Sequence, residues 1–195
     1  MCSSDLAYTR DVLAVARETD ARTLVGNSMG GAVALWTVLE HGFEPDALVL
    51  CGTGARLAVG EALLDAFDTD LDAALDTLAG PDLLFHDADG DMRARTTAAF
   101  REAGQPVTAR DFRTCDAFDV RDRLDEIDVP ALALTGEHDG MTPPSFTDAL
   151  GSGLPDCETT ILDDCAHLSM LERPRAWNER VRAFLGEERG RASDG

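Results

Sequence analysis

Apolar residues fall at helical spacing over roughly residues 4–18, where Leu6, Leu13, Val15 and Ala16 stand among charged neighbours. The pattern predicts an amphipathic helix with Ser4 as its N-cap. The period then changes. Arg22-Thr23-Leu24-Val25-Gly26 predicts a short strand that passes through Asn27-Ser28-Met29-Gly30-Gly31 into an apolar helix over 32–41, carrying Val33, Leu35, Trp36, Val38 and Leu39. Ala47-Leu48-Val49-Leu50-Cys51 is apolar at every position. A strand with two apolar faces belongs to a buried parallel sheet flanked by helices.

From about residue 56 to 125 the character shifts. Leu64, Phe67, Leu71, Leu75 and Leu78 keep helical spacing, Gly80-Pro81 interrupts it, and residues 92–102 resume it. No segment here reads as a strand. The sheet pattern returns with Pro130-Ala131-Leu132-Ala133-Leu134-Thr135, a helix is predicted near 145–151, and Thr159-Thr160-Ile161-Leu162 predicts another strand. The last predicted helix, about 174–185, has Pro174 in its first turn and Trp177, Val181, Phe184 and Leu185 on one face. The expected order is β-α-β, a helical insertion, then β-α-β-α. This divides the chain into a first core part (1–55), a helical cap (56–125), a second core part (126–186) and a polar tail (187–195).

Composition narrows the class. Of 195 residues 44% are hydrophobic, enough for a sizeable core. There is no apolar run of membrane-spanning length. The 37 Asp and Glu against 17 Lys and Arg give a net charge of −20, and every cation is Arg. A field of that sign repels nucleic-acid backbones and anionic lipid. The Asp-rich surface resembles that of proteins adapted to high salt. The five cysteines (Cys2, Cys51, Cys115, Cys157, Cys165) are an odd number without Cys-x-x-Cys spacing, as in reduced cytoplasmic chains. The start, Cys2-Ser3-Ser4-Asp5-Leu6, has neither a basic n-region nor an apolar signal core, and resembles a translated sequencing-adapter end.

Gly26-Asn27-Ser28-Met29-Gly30 matches G-x-S-x-G, a pattern that chance supplies in about one chain in twenty of this size. Its place between a buried strand and an apolar helix is what gives it weight, because a tight strand-to-helix turn projects the Ser28 hydroxyl at the sheet edge. The flanking glycines leave room for neighbouring backbone. A serine needs a base. Of the four histidines, His41 ends the elbow helix and is read as meeting its dipole. His86 is read as a surface or cap residue, and His138 as a bystander. His167, after the last strand, is placed to reach Ser28. Asp139, just past a strand end, is placed to orient it, with Glu137 the nearest rival.

The order Ser28, Asp139, His167 resembles the α/β-hydrolase fold. Val129 to Asp139 is similar to that family's strand leading to the acid. Ala166-His167 with Leu171-Glu172-Arg173-Pro174 is similar to its histidine loop, although the usual Gly before His is Ala166 here. The resemblance implies Ser28 as nucleophile, His167 as base and acid, Asp139 as its partner and the Met29 N–H as an oxyanion donor. It also implies a larger sheet than this chain offers, so the chain is expected to be the C-terminal portion of a serine hydrolase. A small apolar ester is the expected substrate, with no cofactor. Enol-lactone or carbon–carbon bond hydrolysis, acyl transfer, and a non-catalytic binding module are the alternatives. An Asp nucleophile is excluded by Ser28. Leu57, Phe67, Phe85 and Phe118 are expected to line the substrate site. The acidic run Asp87-Ala88-Asp89-Gly90-Asp91 lacks the Gly and Glu of a calcium loop, and no His/Cys cluster has zinc-ligand spacing, so no metal is expected.

Overall fold

The computed structural model describes residues 3–193, with side chains described over 7–186. Helix α1 (Ser3–Thr19) leads to strand β1 (Thr23–Asn27), helix α2 (Met29–His41) and strand β2 (Ala47–Cys51). Helices α3 (Glu61–Thr69), α4 (Leu71–Leu78), α5 (Gly90–Ala103) and α6 (Gln105–Ala117) follow, then a 3-10 turn over Arg121–Glu126. The sheet resumes with β3 (Ala131–Gly136), α7 (Pro144–Gly153) and β4 (Cys157–Leu162), and the chain closes with α8 (Ser169–Glu172) and α9 (Pro174–Ser193). The four strands are all parallel, in the order β1-β2-β3-β4.

Alternate residues of the inner strands feed opposite cores, as the period-two geometry of a strand requires. Leu48, Leu50, Ala131 and Ala133 pack with Leu35 and Trp36 of α2 and Leu150 of α7. Val49, Cys51, Leu132 and Leu134 pack with Val181 and Phe184 of α9. Every residue of β2 and β3 is buried, so their continuous apolar runs follow from burial on both faces. The outer strands are half-exposed, Val25 and Ile161 among them. The insertion has its own core of Phe67, Leu75, Leu78, Leu84 and Phe85. Among the described residues it holds only isolated bridges and no strand.

Several expectations shift in detail. Val15 is 59% exposed, so α1 docks through Thr9, Leu13 and Ala16 instead. Ser4 lies inside α1 rather than ahead of it. The predicted polar tail continues α9 as helix to Ser193. The four-residue α8, too short to show a period, was expected as loop. Asp89 of the acidic run caps α5, accepting from the Met92 N–H at 2.8 Å. Among the described residues no helix is long and apolar enough to cross a membrane.

The turn from β1 into α2 is the tightest part of the frame. A Cβ on Gly26 would stand 2.3 Å from both the carbonyl carbon and oxygen of Gly30 and 2.5 Å from the Gly31 nitrogen, so strand end and helix start can touch only through glycine. Gly30, by contrast, meets nothing within 4 Å, and it is Gly31 that fits closely against Thr53. Gly26→Ala is therefore expected to destabilise by about 3 kcal/mol through backbone displacement, read as a lower denaturation midpoint with an unchanged m-value.

Candidate active site

Ser28, Asp139 and His167 follow β1, β3 and β4 at the same end of a parallel sheet, which is why residues far apart in sequence meet there. Ser28 sits at φ 53°, ψ −117°, a positive φ that a residue with a Cβ adopts only under constraint. Its N–H donates to the Cys51 carbonyl at 2.9 Å, and its own carbonyl accepts from Thr53 Oγ1 at 2.9 Å and from the Gly31 N–H at 3.0 Å. Met29 is the first residue of α2, so its N–H lies ahead of the helical ladder, at the positive end of the helix dipole.

The Asp139 carboxylate is fully enclosed by donors. Oδ1 accepts from the Met141 and Thr142 N–H groups at 2.9 and 2.8 Å. Oδ2 accepts from the Thr135 and Thr142 hydroxyls, each at 2.8 Å, and from His167 Nδ1 at 2.9 Å. Burial works to raise the Asp139 pKa, but the hydrogen bonds and charge of His167 and the Thr142 donors outweigh it and hold the group below the ordinary carboxylate value. Both side chains are inaccessible, 0% and 3% exposed for Asp139 and His167. Glu137 points elsewhere: it lies 3.6 Å from His138 and accepts from the Asp164 N–H.

Two polar residues outside the predicted set hold the loops together. The Asn27 side-chain amide donates to the carbonyls of Cys51 and His167 at 3.1 and 3.4 Å, tying the Ser28 turn to the histidine loop. Glu172 spans a wider gap. Its Oε1 accepts from the His86 and Asp87 N–H groups at 3.0 and 2.7 Å, and its Oε2 from the Ala166 N–H at 2.8 Å. It fastens the insertion to the residue preceding His167. Glu172 was visible as part of the Leu171-Glu172-Arg173-Pro174 motif, but its role was not.

Ser28 stands where two cavities meet. The larger, about 440 Å³, is lined by Ser28, Met29 and His167 together with Leu84, Phe100 and Phe112. The smaller, about 180 Å³, reaches Ser28 past Leu57, Leu63, Leu78 and Leu83. Phe112, Cys115 and Met141 face both. The four residues expected to line the substrate site separate into one that does and three that do not. Leu57 lines the smaller cavity, whereas Phe67, Phe85 and Phe118 are buried in cores and line neither. Phe67 instead stacks behind Phe112 with ring centroids 4.2 Å apart, and Phe118 packs edge-on against Trp36. Periodicity marks apolar faces but does not tell a wall from the packing behind it.

The remaining histidines and thiols separate cleanly. His41 Nε2 lies 2.9 Å from Thr9 Oγ1, so it joins α2 to α1 as well as ending the helix. His86 and His138 stack face to face and line neither cavity at Ser28. Cys165 is fully buried and its thiol is pushed up to about 12 by burial, as is that of Cys115. Neither is a nucleophile at neutral pH.

Comparison with known proteins agrees with this fold. Residues 2–180 match the alpha/beta hydrolase family, and the chain belongs to it. The chain is 28% identical to the pimeloyl-[acyl-carrier protein] methyl ester esterase of Neisseria meningitidis serogroup A, over 93% of this chain and 62% of that protein. It therefore spans less than two thirds of that relative's length. Among solved structures, a thermophilic esterase superposes with a TM-score of 0.86 at 28% identity, covering 96% of this chain and 75% of that one. The enol-lactonase of Burkholderia xenovorans superposes with a TM-score of 0.76 at 26% identity, covering 91% and 71%.

Proposed function

We propose that the chain hydrolyses small, neutral, apolar carboxylic esters through an acyl-enzyme. Ser28 is the nucleophile, His167 the base and then the acid, and Asp139 the group that fixes the imidazole. The observation that carries this reading is a buried His167–Asp139 hydrogen bond behind an apolar cavity that His167 lines together with Ser28. His167 Nδ1–H donates to Asp139, which leaves Nε2 to take the Ser28 proton as Oγ attacks the carbonyl carbon. The Met29 N–H donates to the oxyanion as charge develops. His167 then returns the proton to the departing alkoxide, and water repeats the sequence to free the acid.

Substrate class follows from the walls. The residues lining the two cavities include Asp111 but no Arg, so nothing there pairs with a substrate carboxylate. That disfavours ring-fission acids as substrates and supports a neutral ester, each half lodged in one cavity. A lactone is an ester closed on itself and needs the same chemistry, and the likeness to the enol-lactonase keeps it within the reading. Residues 56–125 act as a cap over a core formed by 1–55 and 126–186. Cys51, Cys115, Cys157 and Cys165 form no disulfide, which supports a cytoplasmic site of action.

The test is intact mass after treatment with a fluorophosphonate probe at molar KCl. A single adduct on the wild type, absent from Ser28→Ala, is the expected result; a folded chain that takes no adduct overturns the reading. Salt carries a second expectation. With a net charge of −20, the melting temperature is expected to climb as KCl is raised and acid–acid repulsion is screened. Equal stability in dilute buffer would reject the high-salt reading.

A further inference from the structure

We propose a divalent transition-metal site formed by Asp82, His86 and His138, at the seam between the insertion and the loop that carries Asp139. One ligand atom from each of the three lies within 4.8 Å of the others, a separation that small side-chain rotations close to a coordination sphere. Two imidazoles and a carboxylate are the donor set of Zn²⁺ and its neighbours, not of Mg²⁺ or Ca²⁺, which take oxygen. The rings of His86 and His138 stack with centroids 3.8 Å apart, so the two imidazoles are close and a turn of their side chains brings the in-plane nitrogen lone pairs onto one ion. Asp82 Oδ1 lies 2.6 Å from His86 Nδ1, so an ion shared by these two atoms would take the place of the proton between them, with Nδ1 as the His86 ligand atom.

The backbone under each ligand is fixed by a separate contact. Asp82 sits at φ 58°, and its carbonyl accepts from the Gly140 N–H at 2.7 Å. The His86 N–H is held by Glu172 at 3.0 Å. The His138 N–H donates to the Cys165 carbonyl at 3.0 Å. Such a frame costs little further ordering when an ion enters. The ligand side chains are a third to a half exposed (52% for Asp82, 33% for His86, 34% for His138), so water completes the shell and the ion has an entry path. Glu137 and Asp164 stand beside His138 and add negative potential. A bound ion would pin the insertion to the Asp139 loop from a side of the seam that the serine chemistry does not use. The sequence could not disclose the site, because 52 positions separate the two histidines and no ligand spacing links them.

The experiment is calorimetric titration of ZnCl₂ into the purified chain, with MgCl₂ as control, on the wild type and on His86→Ala, His138→Ala and Asp82→Asn. Asn tolerates a positive φ, so the last variant removes the charge without disturbing the turn. One Zn²⁺ per chain is expected, with affinity at least about tenfold weaker in each variant. At a hundredfold excess over Kd, Zn²⁺ is expected to raise the wild-type melting temperature by about 5 to 10 °C. Zn²⁺ affinity that is equal in wild type and variants, or matched by Mg²⁺, would show diffuse binding to the acidic surface and overturn the site.

Discussion

Ser28→Ala is expected to lower ester turnover about 10⁶-fold while leaving the fold and its melting temperature unchanged. The side chain makes no hydrogen bond on which the turn depends. The strained backbone at φ 53° is held by main-chain contacts to Cys51 and Gly31 and by the Thr53 hydroxyl, all of which alanine keeps. Alanine adopts that φ at a cost similar to serine, so loss of activity would not be confounded by unfolding. What disappears is the atom that forms the acyl bond. The residual rate would come from the Met29 N–H and the cavity alone. Kinetics on a short-chain ester, with circular dichroism on the same sample, separate the two effects. Retention of more than about a hundredth of the activity would place the nucleophile elsewhere.

Asp139→Asn is expected to lower turnover about 10⁴-fold with a smaller change in KM. The carboxylate accepts five hydrogen bonds and donates none. An amide in its place must turn one NH₂ toward a group that was donating. With its oxygen kept on the Met141 and Thr142 N–H groups, the NH₂ faces His167 Nδ1 and forces the imidazole into the tautomer with its proton on Nε2. That ring can no longer accept from Ser28. The Thr135 and Thr142 hydroxyls can rotate to accept, so the fold tolerates the change better than the reaction does. A pH–rate profile checks the cause: alkaline pH, which assists proton removal from Ser28, should recover part of the activity in the variant.

The fold was legible wherever burial imposed a period. The all-apolar runs at residues 47–51 and 131–134 gave the two central strands, because a strand covered on both faces has no polar position to blur. The outer strands and the four-residue α8 were read less well, since half-exposure and shortness leave little periodic signal. Ser28, Asp139 and His167 were placed by motif and order, and the hydrogen bond between the latter two gives that placement a geometry. The aromatic wall was misjudged for a different reason. Phe67, Phe85 and Phe118 are as apolar as Phe100 and Phe112, and only packing decides which of them faces a cavity. The face-to-face histidines needed the tertiary fold itself, since one lies in the insertion and the other follows β3.

Glu172 gives the molecule a condition on its own reactivity. One carboxylate holds the turn at His86 and Asp87 and, through Ala166, the strand of chain that aims His167. Any outward swing of that turn to admit a substrate must break its hydrogen bonds and slacken the chain behind the base at the same moment. In the proposed reaction, the aim of the base therefore depends on where the insertion sits.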